Sequence, residues 1–425
     1  MIQMSLQEKI GQMIMTGFSS STITPELLEL IWEHKISNII LFSHNLINGQ
    51  QIHELCKNLD YIIRESTGFP AFISIDQEGG VVSRFPKEMI NTPGAMLIGA
   101  TQKEEYAYRA GVITGEELKA LGINVDLAPV LDVNSNPNNP VIGVRSYSSD
   151  PNQVARFGVN MMKGLQSVGI MPTIKHFPGH GDTAVDSHIG LPVIQKDFQQ
   201  LMECELIPFR QCIREGAPCV MSSHILFPKL EKEKKPATMS KTILTDLLRG
   251  KLGFEGIIMT DCMEMGAIKD HYGTANGAVE AIKAGAQMII ISHTPRLVKE
   301  TIYRIEEGVA TGEIPIELID NAVENILKFK NIYQSKFVKN DLEVAYSKPY
   351  KKEIKEITVA GMVKVSKMDL PILDHNTMFM GPYAYQTTMV SRETNTELHF
   401  AKFLSAKFGG RSLDIPINPT NDDME

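Results

Sequence analysis

Short apolar runs rich in β-branched residues recur along the chain, each bounded by turn-forming residues and separated by stretches of helical periodicity. Eight stand out: QMIMTGF (12–18), NIILF (38–42), AFISID (71–76), INVDLAP (123–129), MPTIKH (171–176), CVMSSHI (219–225), GIIMTD (256–261) and MIIIS (288–292). Amphipathic segments lie between them, among them PELLELIWEHK, GQQIHELCKNLDYIIRES, KEEYAYRAGVITGEELKALG, PNQVARFGVNMMKGLQSVG, FQQLMECELIPFRQCIREG and NGAVEAIKAG, and each predicts one helix. Strands that are apolar almost throughout, alternating with helices, predict a parallel sheet covered on both faces. Eight such units predict an α/β fold, a (β/α)8 TIM-type barrel over residues 1–335. Ser5 followed by Glu8 has the pattern of a capping box at the first helix. An open doubly wound sheet is the competing topology, but it calls for a G-x-G-x-x-G turn after its first strand, and GFSSSTITP does not supply one.

Polar residues cluster where the apolar runs stop: Asp76, Lys175 with His176, His224, Asp261, and Ser292 with His293. In a barrel these ends meet on one face, the face that carries active sites. Singly, each has a plainer reading. Asp261, for instance, could cap the CMEMGAIKD segment that follows it.

The loop KHFPGHGDTAVDSH (175–188) is the densest polar stretch, and its Pro178, Gly179 and Gly181 predict a segment that closes over a bound molecule. His176, His180, Asp182, Asp186 and His188 are all acceptable metal ligands, but the H-E-x-x-H spacing on one regular element is missing, so neither a metal nor a cofactor is expected. His180 and Asp182 read as loop-shaping residues.

Composition narrows the setting. A net charge of −8, with KLEKEKKP (229–236) as the densest basic run, excludes a nucleic-acid surface. Five scattered cysteines, never spaced C-x-x-C, predict neither a disulfide framework nor a zinc knuckle and suit a reducing compartment. The N-terminal MIQMSLQEKIGQMIMTGF has no basic segment before an apolar core, and no run reaches transmembrane length, so a cytoplasmic protein without a membrane partner is expected.

KHFPGHGDTAVDSH followed by GLPVI, with IDQEGGVVSRF upstream and IIMTDCMEMGAI downstream, resembles the family-3 glycoside hydrolases, specifically their β-N-acetylglucosaminidase branch, over about residues 5–335. The resemblance implies that Asp261 is the nucleophile and that His188, held by Asp186, is the proton donor and acceptor. It implies that Asp76, Arg145, Lys175 and His176 hold the terminal sugar; Arg84 is a weaker candidate, equally readable as part of an ion pair. The implied activity is exo-acting, retaining release of terminal N-acetylglucosamine from peptidoglycan (muropeptide) fragments. Two alternatives stay open: a phosphorylase, because a neutral histidine does not repel phosphate, and a sugar-binding protein without catalysis. The motifs leave the aglycone and the oligomeric state open.

Two features depart from the family. Cys262 directly follows the expected nucleophile and predicts sensitivity to alkylation. After the helix PIELIDNAVENILKFKNIYQS, a linker over 336–350 leads into a partial α/β segment, 351–425, with helix-like EIKEITVAGM and NTELHFAKFLSAKFG and strand-like MVKVSK, TMFMGPYA and SLDIPIN. So short a segment cannot bury a core of its own.

Overall fold

Eight parallel strands close into a barrel in the computed structural model, which describes residues 4–184, 190–337, 341–363, 373–382 and 400–415. They are β1 (Ile14–Thr16), β2 (Asn38–Leu41), β3 (Phe72–Ile75), β4 (Val125–Asp126), β5 (Met171–Phe177), β6 (Cys219–Ser222), β7 (Ile257–Cys262) and β8 (Met288–Ile291). One strand falls within each of the eight apolar runs, give or take a residue at the ends. The ring closes because β1 pairs with β2 (Met15 with Asn38) and also with β8 (Ile14 with Ile289). The (β/α)8 architecture is thus the one read from the chain.

The apolar character of the strands follows from burial on two faces. Ile39 and Leu41 of β2 pack with Leu27, Ile31, Leu55 and Leu59 of the flanking helices, whereas Ile40 between them joins a different cluster with Met15 and Phe72. This is the period-two alternation of a pleated strand with both faces covered. The ladder is irregular at two places, between Ile174 and Phe177 on β5 and between Met259 and Cys262 on β7. Both lie at the ends that carry the expected site residues, where a bulge re-aims side chains.

The first helix, Leu6–Met13, starts with the expected capping box: Glu8 N–H donates to Ser5 Oγ (3.2 Å) and Ser5 N–H donates to Glu8 Oε2 (2.7 Å). The segment FQQLMECELIPFRQCIREG is not one helix but two, Phe198–Glu203 and Leu206–Arg214. The chain turns at Cys204 and Glu205 and carries the fully buried Glu205 carboxylate inward to pair with Lys196. A continuous amphipathic pattern does not reveal that break.

Compact packing continues past the expected linker, up to Met362. Gly49 N–H donates to Tyr346 Oη (2.9 Å), Arg109 makes a two-pronged ion pair with Glu353 (2.6 and 2.8 Å), and Ile354 and Ile357 of the helix Lys348–Ala360 are buried. The second unit begins at Val363. Its described part is a pair of parallel strands, Met378–Pro382 and Arg411–Ile415, with the helix Phe400–Phe408 between them in sequence. Among its described residues Met380, Phe400, Phe403 and Leu413 are exposed. Most of MVKVSK lies outside the described residues.

Candidate active site

Asp76 directly follows β3, and the two glycines of QEGG fold the chain back behind it. Gly79 and Gly80 have φ of 85° and 60°, and a Cβ on Gly80 would lie 2.6 Å from Gly94 Cα, so the turn tolerates no side chain there. The turn returns Glu78 toward the barrel. Arg145, at the end of the 3-10 turn Gly143–Arg145, meets it in a two-pronged pair: Nε donates to Glu78 Oε2 and Nη2 to Oε1, both at 2.8 Å. Lys175 of β5 joins from the other side, its Nζ 2.7 Å from Glu78 Oε1 and donating to Asp76 Oδ1 at 2.7 Å.

These side chains are sunk in the protein; those of Lys175, Arg145 and Glu78 are 3%, 4% and 6% exposed, whereas Asp76 reaches 18%. Burial alone would push the Glu78 carboxyl up, but the charges of Arg145 and Lys175 outweigh it and hold it well below the usual carboxylate range. Burial likewise opposes the Lys175 charge, and Asp76 and Glu78 raise its pKa nonetheless. Asp126, ending β4, goes the other way: burial keeps its carboxyl well above the ordinary range although Gln77 N–H donates to it. Asp76 and Glu78 are thus the two carboxylates that pair with the cations Lys175 and Arg145.

Lys175 spends two of its three protons on Asp76 and Glu78, and Arg145 spends three of its five on Glu78 and Val141 O. Among the described residues the cluster therefore retains donors on Lys175 and Arg145 beside the acceptor oxygens of Asp76. A sugar hydroxyl both donates and accepts, and this set offers both. Arg84 stands next to it, Nη2 3.7 Å from Asp76 Oδ2, close enough to orient that carboxylate.

His176 is held by a residue the sequence reading passed over. Its Nδ1 lies 2.6 Å from Asp132 Oδ2, and Asp132 Oδ1 accepts the backbone N–H groups of His176 (3.2 Å) and His180 (2.6 Å). Burial opposes the Asp132 charge, but His176 lowers its pKa, so the carboxylate is ionised and Nδ1 carries the proton. Among the described residues, the Nε2 edge of His176 is left for a ligand. Asp132 could have been suspected as a polar residue within the apolar APVLDV; Glu78 stood in plain view inside IDQEGG.

Asp261 belongs to β7 and does not cap the next helix. That helix, Gly266–Lys269, has Met265 as its N-cap, while Asp261 Oδ1 accepts the N–H of Cys262 at 2.7 Å. His224, just after β6, fixes this strand end through Nε2, 3.0 Å from Cys262 O. In the ring β7 is four places from β3, so Asp261 stands across the barrel mouth from Asp76. Burial pushes the Cys262 thiol up to about 11, which argues against the expected alkylation sensitivity, because the reactive thiolate is then scarce at neutral pH.

Asp186 and His188 lie outside the described residues. The base of their loop is anchored: Asn139 Nδ2 donates to His180 O (2.9 Å) and Gly181 O (3.0 Å), and Asp182 pairs with Lys196 (3.0 Å). His176 and His180 commit their Nδ1 atoms to Asp132 and Thr183. Among the described residues, the one set of three ligand-type side chains within mutual reach is Glu29, Glu33 and His34, on the helix Pro25–His34 and away from this mouth.

Residues 5–329 match the family model for the glycosyl hydrolase family 3 N terminal domain. The chain belongs to glycosyl hydrolase family 3. Within that family it is 38% identical over 333 residues to the beta-hexosaminidase A of Pseudoalteromonas piscicida, covering 73% of this chain and 56% of that protein. The chain thus spans little more than half the length of that relative. It is 31% identical over 300 residues to the beta-hexosaminidase of Stenotrophomonas maltophilia, covering 69% of this chain and 87% of the other. In structure it resembles a family 3 beta-N-acetylglucosaminidase from Paenibacillus sp. FPU-7, with a TM-score of 0.91, 36% identity, and coverage of 99% of this chain and 81% of that one. The family read from the motifs is therefore the family to which the chain belongs.

Proposed function

We propose that this family 3 chain is an exo-acting, retaining β-N-acetylglucosaminidase. The reading is carried by one observation: a donor-and-acceptor cluster of Asp76, Lys175, Glu78 and Arg145 facing Asp261 across the barrel mouth. A terminal sugar whose hydroxyls are held by that cluster presents its anomeric carbon toward β7. The Asp261 carboxylate then attacks that carbon while His188 gives its proton to the departing glycosidic oxygen. In the second step His188 takes a proton from water, the water oxygen attacks the same carbon, and the bond to Asp261 breaks; two inversions give net retention. Asp186 orients the imidazole and favours its protonated form. His176 and Arg84 complete the grip on the sugar.

The names of the relatives, beta-hexosaminidase and beta-N-acetylglucosaminidase, support an N-acetylated amino sugar as the glycone. Peptidoglycan (muropeptide) fragments in the cytoplasm are the substrate and setting we infer, and the scattered cysteines support a reducing compartment. No helix among the described residues is long and apolar enough to cross a membrane.

The test is to trap the protein with a 5-fluoro derivative of N-acetylglucosamine and locate the adduct by mass spectrometry. A label on Asp261 supports the reading; a label elsewhere overturns the nucleophile, and sugar 1-phosphate formed on adding phosphate overturns hydrolysis.

A further inference from the structure

Asp261 sits where the strand ladder loosens. From Met259 to Cys262, β7 takes three steps where β8 takes two, from Met288 to Ile290, and Asp261 lies within that extra length. On the other side, the paired positions of β6 and β7 end at Met221 and Met259, two residues before Asp261. A carboxylate at the end of an aspartate side chain has a broad range of rotation about its last bond. Main-chain pairing alone therefore does not aim this side chain.

His224 supplies a tie that the ladder does not. It lies two residues past β6 and is buried, and its Nε2 is 3.0 Å from Cys262 O. A carbonyl oxygen only accepts, so Nε2 carries the proton. The peptide joining Cys262 to Met263 is thereby pinned at both edges, because Met263 N–H donates to Ile290 O of β8 at 2.9 Å. One residue back, Cys262 N–H donates to Asp261 Oδ1 at 2.7 Å. The imidazole is itself oriented from behind: Nδ1 lies 2.9 Å from Oγ1 of the buried Thr238, in the 3-10 turn Ala237–Met239. Thr238 Oγ1 in turn reaches Ser222 Oγ (2.8 Å) and donates to Ser223 O (2.9 Å), so the ring is braced on the end of β6.

We propose that His224 is a positioning residue for the nucleophile: acting through the Cys262 main chain, it fixes the direction in which the Asp261 carboxylate meets the anomeric carbon. Misplacing a reacting group by about 1 Å costs on the order of 10²-fold in rate, so a brace of this kind bears on turnover without holding the sugar. The inference rests on the proposed function and goes beyond it by assigning the aim of Asp261 to a side chain of the neighbouring strand end.

The experiment uses 5-fluoro-N-acetylglucosaminyl fluoride, whose fluoride leaves with little need of a proton, so that the limiting trapping rate reports attack by Asp261. That rate, and the Ki of N-acetylglucosamine as a competitive inhibitor, are compared in the wild-type chain, His224→Leu, His224→Gln and Thr238→Val. His224→Leu is expected to trap about 30- to 100-fold more slowly with Ki within about twofold of wild type. His224→Gln keeps an N–H for Cys262 O and is expected to return to within about fivefold of wild type. Thr238→Val keeps the shape but loses the brace behind the ring, and is expected to slow trapping about three- to tenfold at unchanged Ki. A folded His224→Leu that traps at the wild-type rate, or that loses rate and sugar affinity in equal measure, overturns the positioning role. Should His224→Leu fail to fold, an unchanged rate in Thr238→Val overturns it. A wild-type protein that is not labelled on Asp261 overturns the proposed nucleophile, and the role of His224 with it.

Discussion

Arg145 and Glu78, 67 residues apart in sequence, form a buried two-pronged ion pair with both contacts at 2.8 Å. Lys175 shares the same carboxylate, so Glu78 is the hub that lets two cations stand beside Asp76. Glu78→Gln leaves both cations short of a counter-charge. It is expected to destabilise the protein by about 3–5 kcal/mol, the range for breaking one side of a buried pair, and to raise KM more than it lowers kcat. Urea unfolding and steady-state kinetics measure both effects.

Acid should expose the same pair. The folded-state pKa of Glu78 lies well below its ordinary value of 4.5, and that of Asp132 is lowered from 3.8. A carboxylate with a depressed pKa contributes stability that is fully present above its unfolded value and is lost as pH falls through the folded one. Unfolding free energy is therefore expected to hold down to about pH 5 and to drop below it. The slope of that drop should be shallower in Glu78→Gln. A slope equal to that of wild type would remove Glu78 as the source.

Asp261→Asn is expected to abolish turnover of an aryl glycoside, because an amide cannot form the glycosyl intermediate. His188→Ala is expected to lose about 10²–10⁴-fold in kcat on a poor leaving group, less on a nitrophenol that departs without protonation. Equal losses on both leaving groups would contradict the proton-donor role.

Cys262 directly follows Asp261, the proposed nucleophile, yet should react slowly. With a thiol pKa pushed up to about 11, roughly one molecule in ten thousand carries the thiolate at pH 7. Activity is expected to survive brief treatment with a bulky maleimide, and peptide mapping should find Cys262 unmodified. Rapid, stoichiometric loss of activity with label on Cys262 would contradict the burial argument.

Truncation should separate the two compact units at a later point than the sequence places the linker. A chain ended at Met362 is expected to keep a folded barrel. One ended at residue 337 loses the Arg109–Glu353 pair and the burial of Ile354 and Ile357. Its melting temperature should fall by a few degrees, since each kcal/mol shifts a domain of about 150–250 residues by about 2–4 °C and a larger one by less. Equal melting temperatures would show that the helix Lys348–Ala360 contributes nothing to the barrel.

The chain itself determined the eight strands, because a strand covered on both faces must be apolar nearly throughout, and that leaves a local signature. It also determined which polar residues end those strands, since a charge inside such a run is too costly to keep. Only the tertiary structure decided who meets whom. Lys175 finds Asp76 across 99 positions and His176 finds Asp132 across 44, pairings set by the closed ring and by the shift in register on β5. Glu78 became a hub only when the glycine turn aimed it at Arg145, and Asp261 ceased to be a possible helix cap only when β7 was seen to include it. Local pattern reports how much water a residue must avoid; which partner supplies the compensating charge depends on distances that no stretch of sequence contains.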